Sequence, residues 1–360
     1  MIRAVVLAVA VIILPLKLVS ANEVWALPDG HQVVFMDAVS ALHYMQDSHF
    51  MRNMTALDVS LRMKRDFSAL DDSSARAEYS HYLQGQVKDW SWLDKRFLRK
   101  QLTNISKQIS AVSIQVMPDT LYLIRTTGDQ EFNAFYTIKK AIIFPGIVRT
   151  GSTWMPYWWT LRSHIHKTII HEIFHIFSTE HPKFRDRLYQ TMGFYRIYDL
   201  NLNPRLRARL ITNPDDKQGF YRYTVFDSLS NREEDYVLLI MSKYPTWEGY
   251  VDFPSVISVL LVYLDSKLHQ IEFRDGEWRS SLNGEGSPIV IRKSSLRGFL
   301  KHIGLGYDQI LSPEEIIAEY WVLIVETTRK PKLLKKMSPS TVQNINRLKE
   351  CFEQRKSTVR

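Results

Sequence analysis

The amino-acid sequence predicts an α+β protein that is predominantly helical, with a small mixed sheet ahead of one long buried helix. Three patterns indicate this class. Residues 36–112 are rich in helix formers, poor in glycine and proline, and apolar at near-helical spacing. Residues 113–146 change to short β-branched and aromatic runs separated by turn residues. Residues 161–180 are then apolar on almost every side, and Pro182 ends this predicted helix.

The first 21 residues have the pattern of a secretory signal peptide. Arg3 precedes an apolar run over residues 4–16, and Val19, Ser20 and Ala21 fit the small-x-small rule for cleavage. We expect cleavage between Ala21 and Asn22, giving a secreted or periplasmic protein. Downstream, the sequence contains no apolar run of the roughly 20 residues that a bilayer crossing needs.

The 360 residues show no internal repeat, and we expect residues 22–328 to form one domain and the protein to be a monomer. The net charge of +9 is concentrated in residues 329–360, which contain ten lysines and arginines and only two glutamates. We expect this basic C-terminal tail to be a solvated, mobile end that makes weak contact with anionic surfaces, without a specific nucleic-acid partner. The single cysteine, Cys351, excludes an internal disulfide.

Within the predicted sheet region, residues 113–117 and 121–124 are expected to be strands on either side of a turn at Pro118, and residues 132–144 contain further strand. The sequence then predicts helices and loops over residues 182–268. A hairpin with an Asn-Gly turn is expected over residues 278–291.

The segment 171–175 reads H-E-x-x-H, and this motif carries the functional prediction. His171 and His175 are four residues apart, so both imidazoles lie on one helical face and can bind one metal ion. Glu172 projects beside them, where a carboxylate can act as general base toward a zinc-bound water whose pKa is lowered to about 7. Because the helix is apolar almost all round, these polar side chains are predicted to be buried, where they need partners.

A catalytic zinc site needs a third protein ligand. The best candidates are Glu315 and Glu319, which are four apart in a helix predicted over residues 313–327 and capped by Ser312. One of the two acids can bind the metal while the other accepts a ring N–H from a ligating histidine. The residues alone do not decide which acid takes which role.

The motifs H-E-x-x-H at 171–175 and E-x-x-A-E at 315–319 together resemble the gluzincin metallopeptidases. The interval between them is longer than in the best-known members. Glu319 stands where these have an aspartate that orients a ligating histidine. The wider chain is similar to exported bacterial zincin-like proteins of unassigned function. That wider similarity rests on a Thr-Thr-Gly turn at 126–128, the strand at 134–137, the metal helix and Asn-Pro-Asp at 213–215.

This resemblance implies a zincin-like catalytic domain and a Zn²⁺-dependent hydrolase that cleaves peptide bonds in a protein or peptide substrate. It implies that His171, His175 and Glu315 are the metal ligands. It also implies that Glu172 is the catalytic general base and that Glu319 orients a ligating histidine.

Two alternatives stay open at this point. The metzincin spacing places His181 as third ligand and Met241 in a turn beneath the metal, although Ser178 stands where that pattern has glycine; Glu234 is a further candidate ligand. The second alternative is an exported binding or envelope-associated protein on a catalytically silent zincin scaffold. An aromatic cluster at 154–159 is interpreted as a cleft wall or as core, and the strand at 132–144 as a sheet edge for an extended peptide.

Overall fold

The computed structural model describes residues 21–46, 49–146, 158–215, 219–227, 232–247, 263–296, 298–306 and 309–358. The predicted signal peptide up to residue 20 and the side chains of the aromatic cluster at 154–159 lie outside the described residues. The described chain has a mixed α+β fold with two mixed sheets, which confirms the predicted class at this level. None of its described helices combines the length and the apolar character that a membrane crossing requires.

The first sheet contains the strands of the N-terminal region. They are β1 (Glu23–Ala26), β2 (Gln32–Phe35), β3 (Val87–Lys88), β4 (Thr120–Thr126), β5 (Tyr136–Ile138) and β6 (Ala141–Phe144). The order is β1-β2-β4-β6-β5, with β3 paired to the far end of β4. Strands β2, β4 and β6 run parallel, whereas β5 pairs antiparallel with β6 and forms the edge. The strands predicted at 121–124 and within 132–144 are confirmed.

Helices connect β2 to β4, as the near-helical apolar spacing of this region predicts. They are α1 (Ala38–Gln46), α2 (His49–Arg52), α3 (Ala56–Met63), α4 (Asp72–Gln86) and α5 (Trp92–Ser113). The strand predicted at 113–117 is wrong, because α5 continues to Ser113 and a 3₁₀ turn covers Ile114–Val116. Val116 of that segment packs into the core from this 3₁₀ turn, so a β-branched residue is buried here without a strand.

The later helices include the one that carries the H-E-x-x-H motif. They are α6 (Trp158–Glu180), α7 (Pro182–Thr191), α8 (Pro204–Arg207), α9 (Phe299–Ile303), α10 (Pro313–Arg329) and α11 (Pro339–Thr358). Helix α6 lies in the centre of the core and packs against α10, with the rings of Phe174 and Trp321 centred 6.3 Å apart. The predicted start of α10 is confirmed, because the Ser312 hydroxyl accepts a hydrogen bond from the Glu315 amide.

A second sheet forms most of the region after α7. Its strands are β7 (Phe194–Ile197), β8 (Leu200–Asn201), β9 (Phe220–Asp227), β10 (Arg232–Ser242), β11 (Leu264–Arg274), β12 (Glu277–Ser280) and β13 (Val290–Ile291). The order is β7-β9-β10-β11-β12-β8, with β13 also paired to β11. Of the helices and loops predicted over residues 182–268, α7, α8 and the described loops around them are present. The prediction is wrong where β7, β8, β9, β10 and the start of β11 lie. In β10 the exposed charges come first and the buried residues form a nearly continuous run from Tyr236 to Ser242, so no period of two marks this segment as a strand.

The hairpin predicted over residues 278–291 is present only in part. The Asn283 amide N–H donates to the Ser287 carbonyl and closes the expected turn. However, β12 and β13 each pair with β11, and a single bridge between Leu282 and Pro288 joins the two arms. The regular hairpin links β11 to β12 instead, through Asp275 and Gly276, which both have positive φ.

The basic C-terminal tail forms structure rather than a mobile end. After a 3₁₀ segment at Pro331–Lys336, α11 packs its apolar face onto the core. The ring of Phe352 lies 4.9 Å from that of Trp321, and Leu348 is 1% exposed. The expectation of a solvated tail is wrong, because the apolar residues of α11 recur on one helical face that packs onto the core, while Arg347, Glu350 and Glu353 are exposed.

Candidate metal centre

Two helices, α6 and α10, bring the residues of both sequence motifs to one place. His171 and His175 lie one turn apart on α6, and their ring centroids are 4.6 Å apart. His175 is fully buried and His171 retains 14% exposure of its side chain. The motif histidines therefore face the same side of the helix, as their spacing predicts.

Glu315 of α10 approaches both histidines. Its Oε2 atom lies 3.0 Å from His171 Nε2 and 3.8 Å from His175 Nε2. Potential ligand atoms of these three side chains all lie within 4.8 Å of one another. A second group of potential ligands, Glu172, His175 and Asp215, overlaps the first at His175. The structure thus unites two motifs that are 140 positions apart in the sequence.

The rings of the two histidines are oriented by different acids. His171 Nδ1 lies 3.5 Å from Glu319 Oε1, while His175 Nδ1 lies 2.8 Å from Glu314 Oε1. Glu314 is 3% exposed in its side chain and also accepts hydrogen bonds from Ser178 and Tyr189. These contacts leave Nε2 of both rings facing Glu315.

A loop between α8 and β9 supplies two more polar side chains. The Asn213 amide donates to Glu315 Oε1 over 3.0 Å, which fixes the carboxylate that faces the histidines. Asp215 is buried and accepts hydrogen bonds from the backbone N–H and the hydroxyl of Thr137. Thr137 belongs to edge strand β5. Because its backbone N–H already donates to Asp215, Thr137 cannot donate a main-chain hydrogen bond to an extended ligand at this edge.

Burial and mutual charge shift the pKa values of these groups strongly. Burial, and secondly the charge of Asp215, raise the pKa of Glu172 to about 8 against the opposing effect of the two histidines. Burial acts to lower the pKa of His175, but the charges of Asp215 and Glu315 outweigh it and raise that pKa to about 9. At neutral pH the metal-free cluster therefore holds protons, which a cation must displace on binding.

The donor set fits a zinc ion. Four tetrahedral ligands at about 2.0–2.2 Å from Zn²⁺ lie roughly 3.3–3.6 Å from one another, close to the separations of Glu315 Oε2 from the two imidazoles. Moreover, His175 Nε2 and Glu172 Oε2 are buried without a hydrogen-bond partner among the described residues. Buried polar atoms without partners are costly, and a shared cation would satisfy the imidazole nitrogen.

A cavity of about 230 Å³ opens beside the cluster. His171, Glu172 and Glu315 line it on the metal side, and its other walls are mainly apolar. The apolar and aromatic lining residues are Leu61, Phe132, Ala134, Phe135, Tyr136, Ile211, Ile240, Leu264 and Leu311. Glu172 thus faces a small, mainly apolar space next to the two imidazoles.

The other candidate ligands lie elsewhere. Among the described residues, His181, Met241 and Glu234 belong to neither group of potential ligands. The ring of His181 packs 4.6 Å from that of Phe177, Met241 lies in strand β10 rather than in a turn, and Glu234 accepts from the Tyr236 hydroxyl. Helix α6 ends at Glu180, so His181 starts a new helix and turns away from the cluster.

Sequence reasoning missed Glu314 and Asp215 as parts of this site. Glu314 looked like one of two acids that favour the positive end of a helix, and Asp215 like part of a turn. A usable signal existed only for Asp215, which stands in the Asn-Pro-Asp segment of the wider resemblance.

Comparisons of the chain with protein-family models, with curated proteins and with solved structures find no match.

Proposed function

We propose that this protein is a zinc-dependent metallopeptidase of the gluzincin type. The observation that carries the proposal is the approach of Glu315 Oε2 to Nε2 of both His171 and His175. Two imidazoles and one carboxylate form a ligand set that zinc peptidases use, and three protein ligands leave a coordination position for water or substrate.

In this proposal His171, His175 and Glu315 hold the metal. The chemistry supplied by Zn²⁺ bound there would be that of a Lewis acid, which polarises a carbonyl and lowers the pKa of a water to about 7. Glu172 is the general base, since its unpartnered Oε2 lies in a cavity wall beside the imidazoles and can accept a proton there and return it to the leaving amine.

The remaining polar residues are positioning residues. Glu314 and Glu319 hold the two imidazoles by Nδ1, so that Nε2 faces inward, and Asn213 holds the free oxygen of Glu315. The signal-like pattern before Asn22 supports action on substrates outside the cytoplasm.

The test combines metal analysis with peptide cleavage. We expect one equivalent of zinc by elemental analysis of the purified protein. Glu172→Gln should keep the zinc and lose about 10²–10⁴-fold in kcat/KM, the contribution typical of a general base, whereas Glu315→Ala should lose the zinc. Glu180→Gln, a surface change on the same helix beside Lys140, is the matched control and should leave activity unchanged.

Two outcomes would overturn the proposal. One is a folded protein that takes up no zinc even when it is supplied in excess. The other is a Glu172→Gln variant that cleaves as fast as wild type, because Glu172 would then take no part in proton transfer.

A further inference from the structure

A second cavity of about 1020 Å³ lies next to the candidate metal centre, and its lining is strongly cationic. Among the described residues, six arginine and lysine side chains line it, against the single carboxylate of Asp72. The cationic residues are Arg52, Arg76, Lys139, Arg185, Arg196 and Arg207. Such an excess of one sign in a concave surface focuses the electrostatic potential and favours a ligand of opposite charge.

Some of these cations are neutralised within the protein. Arg185 and Arg196 contact Asp186 at 3.3 and 3.4 Å. Arg52 and Arg207 differ from them, because both are exposed and neither forms an ion pair with a described residue. Their guanidinium groups are therefore available for planar, bidentate contacts with carboxylates.

The cationic cavity is adjacent to the proposed catalytic cavity. Residues 211–214 and Ile240 line both of them. Within this shared segment Asn213 donates to Glu315, so the lining of the cationic cavity is in direct contact with a proposed metal ligand. The lining also includes apolar side chains such as Phe50 and Leu210, which suit the aliphatic portions of a polypeptide.

We infer that the cavity lined by Arg52 and Arg207 binds an acidic stretch of a peptide substrate and directs it to the neighbouring metal centre. The inference rests on the proposed peptidase function for the choice of a peptide. The chemical class, a polypeptide rich in aspartate and glutamate, follows from the cationic lining and from the lining segment that this cavity shares with the proposed catalytic cavity. Binding should weaken as salt rises, because the contacts are solvent-exposed.

The experiment measures binding separately from cleavage. Fluorescein-labelled peptides of equal length, one with six glutamates and one with serines in their place, are titrated with the zinc-treated Glu172→Gln protein by fluorescence anisotropy. We expect the acidic peptide to bind on the order of 10-fold tighter at low salt, and this preference to shrink at 300 mM NaCl. Arg52→Gln and Arg207→Gln should each weaken acidic-peptide binding by roughly 2–5-fold and leave binding of the serine peptide unchanged.

Arg205→Gln is the matched control. Arg205 lies two residues from Arg207 on the same short helix and is also exposed, but it does not line the cavity. It should leave the affinity for the acidic peptide unchanged.

Equal affinity for the two peptides, or an equal loss in Arg205→Gln and Arg207→Gln, would overturn the inference. The inference would also be overturned if oligo-dT displaced the labelled acidic peptide at a lower concentration than unlabelled acidic peptide does, and if this displacement depended on the same arginines. The cavity would then favour nucleic acid. Cleavage assays keep the two proposals apart. If the wild type cleaves neutral peptides as well as acidic ones, only the inference about acidic peptides is refuted. If acidic peptides bind through Arg52 and Arg207 but no peptide is cleaved, only the proposed peptidase function is refuted.

Discussion

At the scale of single residues, Glu314 is the buried carboxylate behind the ring of His175. Its carboxylate accepts hydrogen bonds from Ser178 and Tyr189 and holds His175 by Nδ1. Such outer partners fix the orientation and the tautomer of a ligating imidazole. Glu314 is thus expected to control metal affinity without touching the metal.

Glu314→Gln should lower zinc affinity by about 10–100-fold, the range typical for loss of a carboxylate behind a ligating histidine. A competition titration with a chromophoric chelator measures this change. Glu326→Gln, three turns further along α10 and paired with Lys167 at the surface, serves as control. An unchanged zinc affinity in a Glu314→Gln protein of normal thermal stability would show that Glu314 does not orient His175.

At the scale of elements, a buried cluster of charges joins α3 to the loop that carries Asn213. Arg62 contacts Asp58 at 2.7 Å and Glu131 at 2.6 Å, and it donates to the Thr212 carbonyl. Asp58 in turn accepts from the Thr212 amide. The cluster therefore fixes the backbone directly before Asn213, and through it the hydrogen bond to Glu315.

Arg62→Met should destabilise the protein by about 3–5 kcal/mol, because it leaves two buried carboxylates without their cation. The double variant Arg62→Met/Glu131→Gln should recover part of this loss, since one of the two carboxylates is then uncharged. Urea denaturation of the wild type and both variants gives the three free energies of unfolding. A double variant less stable than Arg62→Met would contradict this account of the cluster.

At the scale of the whole molecule, the C-terminal helix α11 completes the core around α6. Phe352 packs against Trp321 of α10 and Phe177 of α6, so it contacts both helices that carry the proposed ligands. A chain ending before α11 would expose these aromatic surfaces to water.

Phe352→Ala should cost about 3–5 kcal/mol of stability, as expected for removing a buried aromatic ring from a packed core. Asn346→Ala, at an exposed position of the same helix, should stay within about 0.5 kcal/mol of wild type. Thermal or urea denaturation compares the variants. If removal of residues 338–360 left the melting temperature unchanged, α11 would not be part of the cooperative fold.

Some elements of the fold were predictable from the sequence and others were not. Local signals succeeded where they were strong: the helix around His171 and His175, the Ser312 cap of α10, and the strands near residues 121–144 are all present. They failed at the strands of the second sheet between residues 194 and 268, which mix charged and apolar residues. Strand formation there depends on partners distant in sequence, which periodicity within a single segment does not reveal.

By itself the sequence determined that two imidazoles and Glu172 share one buried helix, because a spacing of four residues is a local property of helical backbone. Which distant groups meet these side chains depends on how the helices pack in three dimensions. The tertiary structure selected Glu315 as the carboxylate facing both rings, placed Glu314 behind His175, and brought Asp215 next to Glu172. The reason is that helix packing sets which turn of α10 faces α6, and this depends on the whole core rather than on any single segment.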